Sequence, residues 1–191
     1  MPDGDELYDR GYIMDVVEYL KKHGVKFELT EHHSAYTAQE LAGYEHVLEI
    51  EVVKPVIVKA DGIFYMCVLP ACFKVDLEIL KYDLDANFVE LATEEEMLEL
   101  FRDCPPGAEC PIGSLYGLPT LMDATLENDR YIVFQAGCYD KAVRMHMSDY
   151  KDLTSPYVMD FSYQQDWSEA DTMLNDPFYY DRFVYSLLYP L

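Results

Sequence analysis

Apolar positions recur along the chain with two different periods, and the period assigns the elements. Residues 12 to 23 put Ile13, Val16, Val17 and Leu20 on one helical face, with Lys21, Lys22 and His23 in the last turn and Gly24 as the stop, which predicts a helix. VKFELTEH reads as a strand. AYTAQELAG then opens a second helix in which Thr37 and Glu40 have capping-box spacing, with Tyr36 and Leu41 placed as a hydrophobic staple, and LATEEEMLELF repeats the box with Thr93 and Glu96. EVVKPVIVKADGIFYMCVLPA holds two apolar runs around Lys59-Ala60-Asp61-Gly62, a predicted hairpin. GLPTLMD, YIVFQAG and KAVRMHM are three further strand candidates. Helices and strands mix without βαβ alternation, so the expected class is α+β, with a mixed, mostly antiparallel curved sheet flanked by helices.

The texture changes after Leu153. The segment SPYVMDFSYQQDWSEADTMLNDPFYYDRFVYSLLYPL carries the only tryptophan and a dense run of tyrosines among acids. Its apolar content is too high for a disordered tail. The organisation predicted is a short N-terminal segment (1–11), one domain (12–154) and an aromatic, acidic extension (155–191) that docks on the domain or forms a homodimer contact.

Composition narrows the classes of function. The 191 residues hold 36 Asp and Glu against 14 Lys and Arg, a formal net charge of −22. That field repels polyanions over most of the surface, so a nucleic acid must be met at a local basic site or with a basic partner. No window approaches the ~18 apolar residues of a membrane span, and the N-terminus lacks the basic and apolar regions of a signal peptide. The expected location is therefore cytoplasmic. The five cysteines form no CxxC pair and read as reduced thiols.

Candidate chemistry is sparse. Alternation in EVVKPVIVK puts Val52, Lys54, Val56 and Val58 on one face and Val53, Pro55 and Ile57 on the other, leaving Lys54 as the one charge among apolar neighbours. The pattern supports two readings of Lys54: an edge-strand lysine set against aggregation beside a proline that also suits edges, or a cation held for chemistry. In DCPPGAECPIGSLYG, Cys104 and Cys110 have five residues between them and no second cysteine pair, the wrong spacing for zinc, and Arg102 is the only nearby base that could activate a thiol. The prolines stiffen this loop, and its glycines let backbone amides approach a ligand. Gly113-Ser114-Leu115-Tyr116-Gly117 is one residue away from a GxSxG nucleophile elbow. His32 and His33, adjacent on a strand, point apart and read as structural or surface residues. Nucleotide-binding glycine motifs are absent.

The order of segments resembles the YbaK/ProX family, aminoacyl-tRNA deacylases related to the editing domain inserted in bacterial prolyl-tRNA synthetases. The matching stretches are H-x-x-AYTAQE-x-A (32–42), VVKPVIV (52–58), VLPA (68–71), VDL (75–77), LATEEE (91–96), GAECPIG (107–113), LYGLP (115–119), MD (122–123) and FQAG (134–137). The resemblance implies a free-standing trans-editing enzyme of translation fidelity that hydrolyses the ester of mischarged tRNA by water attack, with no metal, cofactor or covalent intermediate. It places the family's lysine on Lys54 and its Gly-x-x-x-Pro substrate loop on Gly107 to Pro111. Substrate contacts are carried to Gly107, Ala108, Pro111 and Gly113, to His32 and Tyr36, and to Gly137 and Tyr139. The implied partners are the 3′ end of an aminoacyl-tRNA and an aminoacyl-tRNA synthetase, without a membrane. Lys59, Lys74 and Arg144 are the cations that would have to gather near the pocket. Relatives carry a histidine where this chain has Tyr139, and often asparagine where it has Pro55. With the acidity, these departures define the alternative function, a non-catalytic sensor of amino acids or aminoacyl-tRNA on the same fold.

Overall fold

The computed structural model describes residues 15–164 except position 103. Helix α1 (Val16–Lys22) starts where Asp15 accepts hydrogen bonds from the Val17 and Glu18 amides and ends before Gly24, whose φ of +68° suits glycine. Strand β1 (Phe27–Glu31) leads to α2 (Ala38–Glu45), capped by Thr37. The Glu40 carboxylate takes the Tyr36 amide at 2.7 Å, one residue ahead of the cap, so the box expected there is half formed. At α4 (Glu94–Leu100) both halves of the predicted Thr93/Glu96 box are present.

The predicted hairpin is β2 (Val53–Ala60) against β3 (Ile63–Pro70), with Ala60 opposite Ile63. Asp61 and Gly62 both take positive φ, as a two-residue hairpin turn demands. After β4 (Phe73–Val75), Asp76 caps α3 (Leu77–Asp83) through the Glu78 and Ile79 amides, and β5 (Val89–Leu91) precedes α4. Then follow β6 (Thr120–Asp123), β7 (Tyr131–Gln135), β8 (Lys141–His146), α5 (Met147–Thr154), β9 (Tyr157–Met159) and β10 (Ser162–Gln164).

Five strands form one sheet in the order β5-β2-β3-β6-β9, and three form another, β1-β8-β7. A parallel bridge between Val52 and Val133 ties the two, and β10 pairs with β4 beside them. The β3–β6 and β6–β9 pairings are parallel and the rest antiparallel, so the class is the expected mixed, mostly antiparallel α+β. Alternation along β2 and β3 splits the core. Val53, Ile57, Met66 and Val68 pack with Val16 and Leu20 of α1, with Phe134 and with Tyr150, while Val56, Val58, Cys67 and Leu69 pack with Leu80 of α3 and with Phe161.

Strand β5 pairs only with Val58–Ala60 of β2 and then gives way to α4. The Ile57 carbonyl still accepts the Ala92 amide, but the outer edge of β2 from Lys54 to Val56 is left beside a cavity, and Pro55, which has no amide to donate, sits in that stretch. From Ser155 onward the chain adds β9 and β10 to the sheets and buries Phe161. The remainder of the expected dimer contact, after residue 164, lies outside the described residues.

Candidate functional site

The cavity at the open edge of β2 is lined by Val53 to Ile57, by Ala38 and Leu41 of α2, by Leu91, Ala92 and Met97 around the start of α4, by Gln135 of β7, and by Gly107 and Glu109 of the proline-rich loop. Its walls are mostly apolar, with a lysine, a glutamate and a glutamine as the polar side chains. Lys54 is 5% exposed, which removes the reading of it as a solvated edge lysine. Its Nζ donates to the Ala71 carbonyl at 2.9 Å, and the same oxygen receives Gln39 Nε2 at 3.0 Å. Burial pulls its pKa down to about 7; Lys74 pushes in the same direction, while Cys72 and Glu49 oppose it. Among the described residues no salt bridge reaches Lys54. The ammonium is therefore held in place by a neutral carbonyl and keeps donor capacity for a ligand.

The loop opposite is fixed by two phenols. Tyr139 Oη donates to the Pro106 carbonyl and Tyr150 Oη to the Pro111 carbonyl, each at 2.6 Å. Gly107 has φ +82°, a conformation that disfavours a side chain. At Gly113 a Cβ would stand 2.4 Å from Thr120 Oγ1 and 2.5 Å from the Leu118 carbonyl, so close packing there requires glycine. Glu109 is 7% exposed and lines the cavity. Burial raises its carboxyl to a pKa of about 6, partly offset by the amides of Glu109 and Gly107.

Of the residues singled out in the sequence, Lys54 and Gly107 line the cavity together. Ala108, Pro111 and Gly113 are buried behind them as loop packing. Tyr36, 55% exposed, lies against Tyr139 with ring centroids 4.8 Å apart, and Tyr139 reaches the loop at Pro106. Gly137 receives the Cys104 thiol on its carbonyl. His32 turns away: its Nδ1 donates to the His33 carbonyl, its ring stacks on Tyr44 at 5.5 Å, and its Nε2 is buried without a partner. Cys110 is in the core rather than the cavity, with its thiol pushed up to about 11 by burial. Burial also raises Cys104, so both thiols stay protonated at neutral pH. Of the cations expected near the pocket, Lys74 is close enough to act on Lys54, whereas Lys59 pairs with Glu96 and Arg144 lies over Tyr131 and against Glu28. Glu109 and Gln135 are the cavity residues that sequence reasoning did not single out; a glutamate inside a loop rich in Pro and Gly reads as solvated until its burial is seen.

The fold recurs in solved structures. It is similar to hypothetical protein APE2540 (24% identity, TM-score 0.66, 78% of this chain and 99% of that one). It is similar too to a candidate trans-editing enzyme for prolyl tRNA synthetase (21%, TM-score 0.63, 79% and 96%). A candidate signal transduction protein from Marinobacter aquaeolei VT8 has the same fold within a longer chain (16%, TM-score 0.62, 83% and 34%). These likenesses define the fold class. Residues 32–153 match the aminoacyl-tRNA editing domain, and the chain belongs to that family. No curated protein matches its sequence. Among the described residues no helix is long and apolar enough to cross a membrane.

Proposed function

We propose that the protein is a trans-editing aminoacyl-tRNA deacylase. The observation that carries the reading is the buried Lys54, in no salt bridge among the described residues, lining one apolar cavity together with Gly107 of the Gly107–Pro111 loop, in a chain of the aminoacyl-tRNA editing family. A cation in a low-dielectric pocket strengthens its hold on an anion, either the terminal phosphate or the oxyanion that forms when water attacks the ester carbonyl. The loop bearing Gly107 and Glu109 forms the facing wall, against which the carbonyl region of the same ester lies. Water is the nucleophile, and the apolar walls take the amino-acid side chain. Family membership brings the 3′ end of an aminoacyl-tRNA as ligand and an aminoacyl-tRNA synthetase as the partner that supplies it. The net charge of −22 makes that partner important, because tRNA is repelled by most of the surface.

The test is deacylation of alanyl-, seryl-, threonyl- and cysteinyl-tRNA by the protein and by Lys54→Ala. Hydrolysis of at least one substrate, lost in Lys54→Ala by roughly 100-fold or more, is expected for a group that stabilises developing charge. No hydrolysis by the parent at any concentration would leave the non-catalytic sensor reading, which Tyr139 favours by filling the position of the family's histidine and closing onto Pro106.

A further inference from the structure

The ester substrate of the reading above carries a free α-ammonium next to the carbonyl, and a pocket that uses it must present an acceptor. Backbone amides and Lys54 only donate. Among the side chains lining the cavity, Gln135 is neutral and spends its Nε2 on the Ala35 carbonyl at 2.6 Å, and Glu109 alone carries a negative charge. Glu109 is nearly buried, yet no salt bridge among the described residues involves it, and it does not pair with Lys54 across the cavity. Its charge is met only in part by the amides of Gly107 and Glu109, and a buried carboxylate without a cation remains costly until a ligand supplies one. The cavity thus holds two opposite charges kept apart, with apolar walls between. An aminoacyl ester has the complementary pattern: an ammonium at one end, and a carbonyl or phosphate that takes negative charge at the other.

We infer that the Glu109 carboxylate receives the α-ammonium of the bound aminoacyl group, so that the pocket accepts free aminoacyl esters and rejects N-blocked ones. This inference rests on the deacylase reading and makes the substrate class narrower: α-amino esters, excluding N-acylated and peptidyl esters. Tyr139, whose phenol is shifted upward by burial first and by the Glu109 charge second, holds the loop that carries Glu109 through its hydrogen bond to the Pro106 carbonyl.

The probe is 3′-deoxy-3′-(L-alanylamino)adenosine, an amide-linked stand-in for the charged end, and its N-acetyl derivative, titrated calorimetrically into the parent and into Glu109→Gln, which keeps side-chain volume. The expected result is binding of the free amine about 30-fold or more tighter than the N-acetyl compound, as loss of a buried charge pair implies. In Glu109→Gln that difference disappears while affinity for the N-acetyl compound is unchanged, and KM for mischarged tRNA rises more than kcat falls. Equal binding of both probes by the parent, or a preference retained in Glu109→Gln, would overturn the inference. So would a loss of kcat with the preference intact, which would make Glu109 a general base. A parent that deacylates tRNA but fails to discriminate sinks this inference alone; a parent that neither deacylates nor binds either probe sinks the deacylase reading, and the inference with it.

Discussion

Lys54 is stored in the fold at a cost, and the sign of that cost is testable. Its pKa falls from 10.5 to about 7 chiefly because burial penalises the charged form. Between those values the unfolded chain binds the proton that the native state gives up, so this group makes stability rise with pH across the window. Each pKa unit corresponds to about 1.4 kcal/mol, so the penalty below pH 7 amounts to several kcal/mol. Lys54→Met should therefore raise the melting temperature at pH 6 to 7, and the gain should fade toward pH 10.5. Activity should move the opposite way: if the protonated lysine stabilises charge, the deacylation rate above the spontaneous background falls as pH rises through about 7. A thermal melt series and a pH–rate profile check the two halves. Glu109 sets the acid side, since protonation near pH 6 removes its charge from the same cavity.

The elements that hold these residues were unequally legible. Alternation and turn chemistry give β2, β3 and the Asp61-Gly62 turn directly, because local rules and tertiary packing agree there. Lys54 stands out in β2 as a charge flanked by apolar positions, but its role does not, because an edge lysine and a buried one have the same local sequence; the short β5, which leaves the β2 edge open beside α4, decides it. The short β4, β5, β9 and β10, three residues each, are too few for periodicity to speak, and KAVRMHM reads as strand throughout although α5 begins at Met147. Loop geometry was half legible: the glycines and prolines marked it, whereas Tyr150, which holds Pro111, is 39 residues away in sequence. Tyr150→Phe leaves the buried Pro111 carbonyl without its donor and should cost about 1–3 kcal/mol by denaturant unfolding. Gly113→Ala must displace both the Thr120 hydroxyl and the Leu118 carbonyl and should cost a similar ~1–3 kcal/mol while weakening deacylation, since the loop moves with it.

At the scale of the molecule, the charge of −22 and the chemistry pull apart. Acids outnumber Lys and Arg by 36 to 14, and Lys59, Arg144 and Lys151 are further engaged with Glu96, Glu28 and Glu127, so a polyanion meets a repelling surface. The apparent affinity for tRNA should then lose little with added salt, a slope nearer to −1 than to the −5 or steeper of proteins with many phosphate contacts. The chain beyond Ser155 also belongs to this scale. Phe161 is fully buried among Val56, Leu69 and Leu80, its amide donates to Asp123, and its carbonyl accepts the Asp76 amide. Phe161→Ala should lower stability by about 3–5 kcal/mol. The measurement that bears most directly on function is single-turnover hydrolysis of a mischarged tRNA panel with the protein in excess, comparing the parent with Lys54→Ala at pH 6.5. Hydrolysis of at least one substrate that falls to the spontaneous rate in the variant is the predicted result; a Lys54→Ala rate equal to the parent's would contradict the assignment of Lys54 and with it the site.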